Sequence, residues 1–160
     1  MLKFHNCDIV FSEIPDEVTL AINLTGCPYR CDGCHSPWLW EDTGEVLNED
    51  SLTTLLGQYG TGITCVCFMG GDSRPEAVAQ LAEFVKKKNT RLKTGWYSGR
   101  EELPEDFPVA AFDFIKLGGY VKQLGGLTSP ATNQRFYRID NNRMTEITNL
   151  FHQQFNKKLL

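Results

Sequence analysis

Cys27, Cys31 and Cys34 stand in a C-x3-C-x2-C array directly after an apolar run. Six cysteines in 160 residues would give such an array by chance about 0.008 times, so the pattern calls for a metal or a disulfide. Three thiolates are one short of the four that close a [4Fe–4S] cluster. An iron–sulfur centre built on them keeps one iron open to a ligand that is not protein. Zinc is the competing metal. A structural zinc site wants four ligands, and His35 follows Cys34 directly. Adjacent residues point apart, however, and no second C-x2-C pair exists to complete a zinc site.

A second chemical element is Met69-Gly70-Gly71-Asp72, at the end of an apolar run of strand length. Two glycines let the backbone approach a ligand closely. An ordinary strand-to-helix turn, with Asp72 or Ser73 as a cap, is the plain alternative. Cys65 and Cys67 are two apart on a predicted strand and share one face, as buried thiols would. Cys7 reads as a plain free cysteine. Asp113 and Lys116 are charges on an apolar strand, which fits a site or a solvent-facing edge equally. No Ser-His-Asp array, P-loop or convincing carboxylate pair is present.

These residues need rigid elements behind them. Residues 1–16 read as an irregular or hairpin-like lead-in, with Pro15-Asp16 as a turn. Strands are predicted at 18–24, 63–69, 91–98, 111–117 and 134–139, ended by glycines in four cases. Leu52, Leu55, Leu56 and Tyr59 form one apolar helical face behind Asn48 as N-cap. A second helix begins at Ser73, with Glu76 completing a capping box and Pro75 in its first turn. Its apolar face is Ala77, Leu81, Phe84 and Val85. A third helix is predicted at 145–157, with Ile147, Leu150, Phe151 and Phe155 on one face. Pro37-Trp38-Leu39-Trp40 reads as an apolar lid or a wall over the metal, 41–46 as a surface loop, and 121–132 as a loop.

The alternation of strands and helices favours parallel strands with crossover helices. Ligands of such sheets bind beyond the carboxyl ends of the strands. Cys27, Gly70 and Gly99 all follow predicted carboxyl ends and are expected on one rim. The length suits one domain over residues 1–160. A net charge of −4 argues against a nucleic-acid binder, which would usually show a basic face. The N-terminus lacks the apolar core of a signal peptide, and no run approaches a membrane helix. The expected setting is the cytoplasm, where clustered cysteines serve metals more often than disulfides.

The cysteine triplet followed by a glycine-rich triplet after the next strand resembles the radical S-adenosylmethionine superfamily. Gly26-Cys27-Pro28, Asp32-Gly33-Cys34-His35, Trp38-Leu39-Trp40 and Thr132-Asn133-Gln134-Arg135 look like the activating proteins of anaerobic ribonucleoside-triphosphate reductases. The resemblance spans about residues 9–140. It implies an α/β fold: an incomplete TIM-type parallel β/α barrel, or an open α/β sheet of the radical S-adenosylmethionine type. It implies that Cys27, Cys31 and Cys34 hold one [4Fe–4S] cluster, and that S-adenosylmethionine chelates the open iron. Gly70, Gly71 and Asp72 would meet the methionyl amino group; Asp72 stands where the superfamily commonly has Glu. Thr94-Gly95-Trp96-Tyr97-Ser98-Gly99 resembles the next strand of the family, with Ser98 or Tyr97 beside the adenosyl group.

The implied activity is reductive cleavage of S-adenosylmethionine to methionine and a 5′-deoxyadenosyl radical, which takes a hydrogen atom from a glycine of the reductase. The implied partners are that reductase and a one-electron donor of the flavodoxin kind. Alternatives are an activase of another glycyl radical enzyme, another enzyme of the superfamily, or a zinc-stabilised binding module.

Overall fold

The computed structural model describes residues 1–152. Its elements run β1 (Lys3–Val10), β2 (Thr19–Leu24), β3 (Glu45–Val46), α1 (Glu49–Tyr59), β4 (Cys65–Met69), α2 (Pro75–Lys88), β5 (Lys93–Tyr97), β6 (Phe114–Leu117), β7 (Arg135–Asp140) and β8 (Arg143–Glu146). All eight strands form one sheet in the order β3-β1-β2-β4-β5-β6-β7-β8. The four central strands, β2, β4, β5 and β6, are parallel. The outer pairings, β1 with β2 and β3, β6 with β7 and β7 with β8, are antiparallel. The sheet is thus mixed, and among the described residues no pairing joins β3 to β8.

α1 connects β2 to β4, and α2 connects β4 to β5, as parallel neighbours require. Leu52 of α1 and Val78, Leu81 and Val85 of α2 cover one face of the sheet, against Leu20, Ile22, Val66, Phe68, Trp96 and Ile115. The other face packs Cys65, Cys67, Phe114 and Phe136 under Ile14, Leu127 and Phe151. Burial on both faces explains why β4 reads as one unbroken apolar run. Each large side chain that becomes fully buried contributes about 1.5–3 kcal/mol. Asn48 caps α1 as expected, and its box partner is Ser51.

Several expectations are corrected. The lead-in 1–16 contains the strand β1, whose period-two pattern is broken by a register shift between Phe4 and Asn6. The loop 41–46 ends in β3, a two-residue strand beside β1. The capping box at Ser73 does not form. The N-cap of α2 is Arg74 without a side-chain bond, because Asp72 turns to β5 instead. The buried stripe of α2 lies around Val78, Ala82 and Val85, leaving Ala77 and Phe84 half-buried on its flank.

The third helix does not start at 145. Thr145 and Glu146 belong to β8, which pairs with β7 through Asn141-Asn142, both at positive φ (49° and 63°). That turn suits a tight hairpin. Helical structure begins at 149; Phe155 and the rest of the predicted helix lie outside the described residues. No helix among the described residues is long and apolar enough to cross a membrane.

Candidate metal centre and its cavity

Because β2, β4, β5 and β6 are parallel, their carboxyl ends share one edge of the sheet. The segments leaving that edge meet in a cavity of about 330 Å³. Cys27, Cys31 and Cys34 line it from the loop after β2, and Gly70 and Asp72 from the turn after β4. Gly99 follows β5, and Gly118 and Gly119 follow β6. The convergence expected from Cys27, Gly70 and Gly99 is therefore present, and β6 adds a fourth corner.

The cysteine loop is held by its own backbone. Gly26 N–H donates to Glu41 O at 3.1 Å, Cys27 N–H to Leu39 O at 3.1 Å, and Cys34 N–H to Cys31 O at 3.1 Å. Gly33 sits at φ 74° with its Cα turned toward the Tyr120 and Lys122 side chains, so a residue with a Cβ would be strained there. All three thiols are half-buried and free of disulfides. Burial raises the Cys27 thiol pKa, while backbone amides of Tyr29 and Arg30 donate to it and oppose that rise. Ser36 N–H lies 3.4 Å from Cys34 Sγ. Amides aimed at sulfur favour the thiolate, the form that binds metal.

Among the described residues, no three His, Cys, Asp or Glu side chains converge on one point where a single ion would sit. A multi-iron cluster needs no common point, because each thiolate takes a different iron. The donor set fits a [4Fe–4S] cluster held by Cys27, Cys31 and Cys34. His35 also lines the cavity, but its ring is exposed and packs against Tyr120, with centroids 5.2 Å apart.

The glycine turn divides its labour. Gly70, at φ 98°, lines the cavity, and an added Cβ would make only ordinary contact with Leu24 O at 3.5 Å; the indole N–H of Trp96 donates to its carbonyl at 2.7 Å. Gly71 lies behind it, at φ 85°, where an added Cβ would meet Val78 Cγ2 at 2.6 Å and Leu24 Cδ1 at 2.7 Å. Asp72 is buried, and both of its oxygens are engaged. Ser98 Oγ donates to Oδ1 and Gly99 N–H to Oδ2 at 3.0 Å, while Arg100 Nη2 donates to its carbonyl at 3.1 Å. Ser98 is fully buried, faces Asp72 and stands behind the wall of the cavity rather than in it.

Lys116, whose place on an apolar strand fits a site or an edge equally, belongs to the cavity. It is 8% exposed and lines the cavity. Its Nζ donates to Gly118 O at 2.9 Å and lies 5.5 Å from the Tyr97 ring centre. Desolvation lowers its pKa to about 8, against the pull of Asp72 and the cysteines. Asp113, by contrast, is structural: it accepts from Thr94 N–H at 2.8 Å and pairs with Lys86 at 3.3 Å.

Asn133 was singled out only by position. Its Nδ2 donates to Gly119 O at 3.0 Å, and its buried Oδ1 has no partner among the described residues. It lines a second hollow beside Cys31, with Tyr29, Gly99 and Gly119. The lid 37–40 is split: Leu39 and Trp40 line the cluster cavity, whereas Trp38 is 54% exposed. Cys65 and Cys67 are fully buried on β4, away from the array.

A family model described as a 4Fe-4S single cluster domain matches residues 18–102, which hold the whole array and the glycine turn. No curated protein and no solved structure matches the chain.

Proposed function

This chain belongs to the family of 4Fe-4S single cluster domains, and on that premise we propose that it is a radical S-adenosylmethionine enzyme that installs a glycyl radical on an anaerobic ribonucleoside-triphosphate reductase. One observation carries the reading: three cysteines and, among the described residues, no fourth line a cavity that glycine backbone and a buried lysine also help to wall. A cluster held there by Cys27, Cys31 and Cys34 would supply the one-electron reduction that cleaves S-adenosylmethionine to methionine and a 5′-deoxyadenosyl radical. Everything else falls to the chain's own residues.

Cys27, Cys31 and Cys34 hold the cluster and leave one iron without a protein ligand. Gly70 keeps a side chain out of the place where the methionyl amino group would lie, and Gly71 lets the turn pack tightly against Val78 and Leu24 behind it. Asp72 positions rather than contacts: with Ser98 it locks the glycine turn to the end of β5. Lys116 is a buried cation aimed into the same space, and a ligand carboxylate there would satisfy it. Asn133 braces the loop after β6 through its amide bond to Gly119 O, and its buried Oδ1 is left as an unused acceptor beside Cys31. Leu39 and Trp40 exclude water from the radical. The electron comes from a flavodoxin-like donor in a reducing, cytoplasmic setting. Activation of another glycyl radical enzyme would use the same cavity.

His35 in the cavity gives one ground for a second reading, a closed Cys3His zinc module. Anaerobic incubation of the brown protein with reductant and S-adenosylmethionine separates the two. The enzyme yields 5′-deoxyadenosine and, with the reductase, a glycyl doublet in electron paramagnetic resonance. Colourless protein with a single zinc and no nucleoside product refutes it.

A further inference from the structure

On the β1–β2 side of the sheet, beside the cluster cavity and distinct from the hollow at Asn133, lies another hollow of about 350 Å³. It and the cluster cavity share Asn23, Ser36, Leu39 and Met69 in their linings, so they are immediate neighbours. Its chemistry is different. Asn6 and Asp8 of β1 and Asn23 of β2 form a linked polar set. Asp8 Oδ2 accepts from Asn6 Nδ2 at 2.9 Å and from Asn23 Nδ2 at 3.2 Å, and Asn6 Oδ1 accepts from Asn23 Nδ2 at 3.2 Å. Glu13 and His5 complete the polar lining, and exposed Trp38 stands on its rim. No lysine or arginine lines the hollow, and among the described residues neither Asp8 nor Glu13 has an ion-pair partner.

Two carboxylates in a concave site without a cation favour a positively charged guest. Carboxamides beside them match the donors and acceptors of a peptide backbone. Because the hollow adjoins the cluster cavity, a chain lying in it and over the shared rim would bring one α-carbon close to the radical's position. A glycine does this best, since it has no side chain to hold that carbon away. We infer that this hollow docks an extended, basic polypeptide segment that carries the radical-accepting glycine. The inference deepens the proposed function and rests on it for the role of the segment, but not for its binding.

The test uses the anaerobically prepared, cluster-loaded protein and two short labelled peptides. Each has a central glycine; one carries flanking arginines and the other flanking glutamates. Fluorescence anisotropy reads binding, and product analysis reads cleavage of S-adenosylmethionine. The arginine peptide is expected to bind at least about tenfold more tightly at low salt, with the preference shrinking as salt rises. Glu13→Gln, whose carboxylate is otherwise engaged only by the neighbouring Ser12 N–H, weakens it severalfold. Asp8→Asn with Glu13→Gln removes the preference, while both variants still yield 5′-deoxyadenosine.

Equal binding of the two peptides, or unchanged binding to the double variant, overturns the inference. Charge-selective binding with no cleavage by any form, wild type included, leaves the hollow intact as a basic-peptide site and refutes the enzymatic reading instead.

Discussion

The sharpest distinction among the residues is between two kinds of cysteine. Cys27, Cys31 and Cys34 lie half-buried on a loop with amides turned toward sulfur, whereas burial lifts the Cys65 thiol to about 12 and Cys67 also well above its usual value. Replacing any of the first three by alanine is expected to abolish the charge-transfer absorbance and most bound iron. Cys67→Ala should keep both, at a stability loss on the order of 1 kcal/mol for the space it leaves. His35→Ala should also keep them, since its exposed ring takes no part in holding the cluster.

Lys116 makes a second residue-scale prediction. Lys116→Met removes a charge-assisted bond to a ligand carboxylate, worth about 1.5–3 kcal/mol, so S-adenosylmethionine should bind roughly 10- to 100-fold more weakly by equilibrium dialysis. The same lysine links stability to pH. Its folded pKa, about 8, lies below its ordinary 10.5. Between these values the unfolded chain holds the extra proton, so the folded state gains as pH rises. In the cluster-free chain the wild type should therefore gain on Lys116→Met across that window, by on the order of 3 kcal/mol in denaturant titrations. A flat difference would place the lysine in water.

The glycine turn shows at the scale of elements why sequence spacing alone could not assign roles. Gly70-Gly71-Asp72 was legible as one motif, yet its members do three things: Gly70 faces the cavity, Gly71 faces α2, and Asp72 ties β4 to β5. Gly71→Ala should cost about 2–4 kcal/mol in thermal unfolding, from a positive φ and a clash with Val78 and Leu24. Gly70→Ala has no such clash and should cost only the φ penalty, about 1–2 kcal/mol, while weakening ligand binding more. The parallel strands β2, β4, β5 and β6 were readable because apolar runs ending in glycine announce them. β1, β3 and β8 were not, because strands at or next to the rims of the sheet, half in water, carry no clean alternation. The Asn141-Asn142 turn was the one available sign of β8.

At the scale of the whole molecule, the mixed eight-stranded sheet gathers four loops at one edge and leaves two adjoining hollows there. The rim was foreseeable from topology, because parallel strands must end together. The depth of Lys116, the free oxygen of Asn133 and the acidic hollow on the β1 side were not, since each depends on elements far apart in the chain meeting at a distance no local pattern encodes. The proposed function needs this open edge twice, once for a small sulfonium ligand and once for a polypeptide.

The most direct measurement is the electron paramagnetic resonance spectrum of the reduced, iron-loaded protein, recorded before and after adding S-adenosylmethionine labelled with nitrogen-15 at its amino group. The account predicts about four irons per chain, a cluster signal whose g values shift on addition, and a coupling to the labelled nitrogen. A cluster signal indifferent to S-adenosylmethionine would mean that the fourth iron is already taken, and would contradict it.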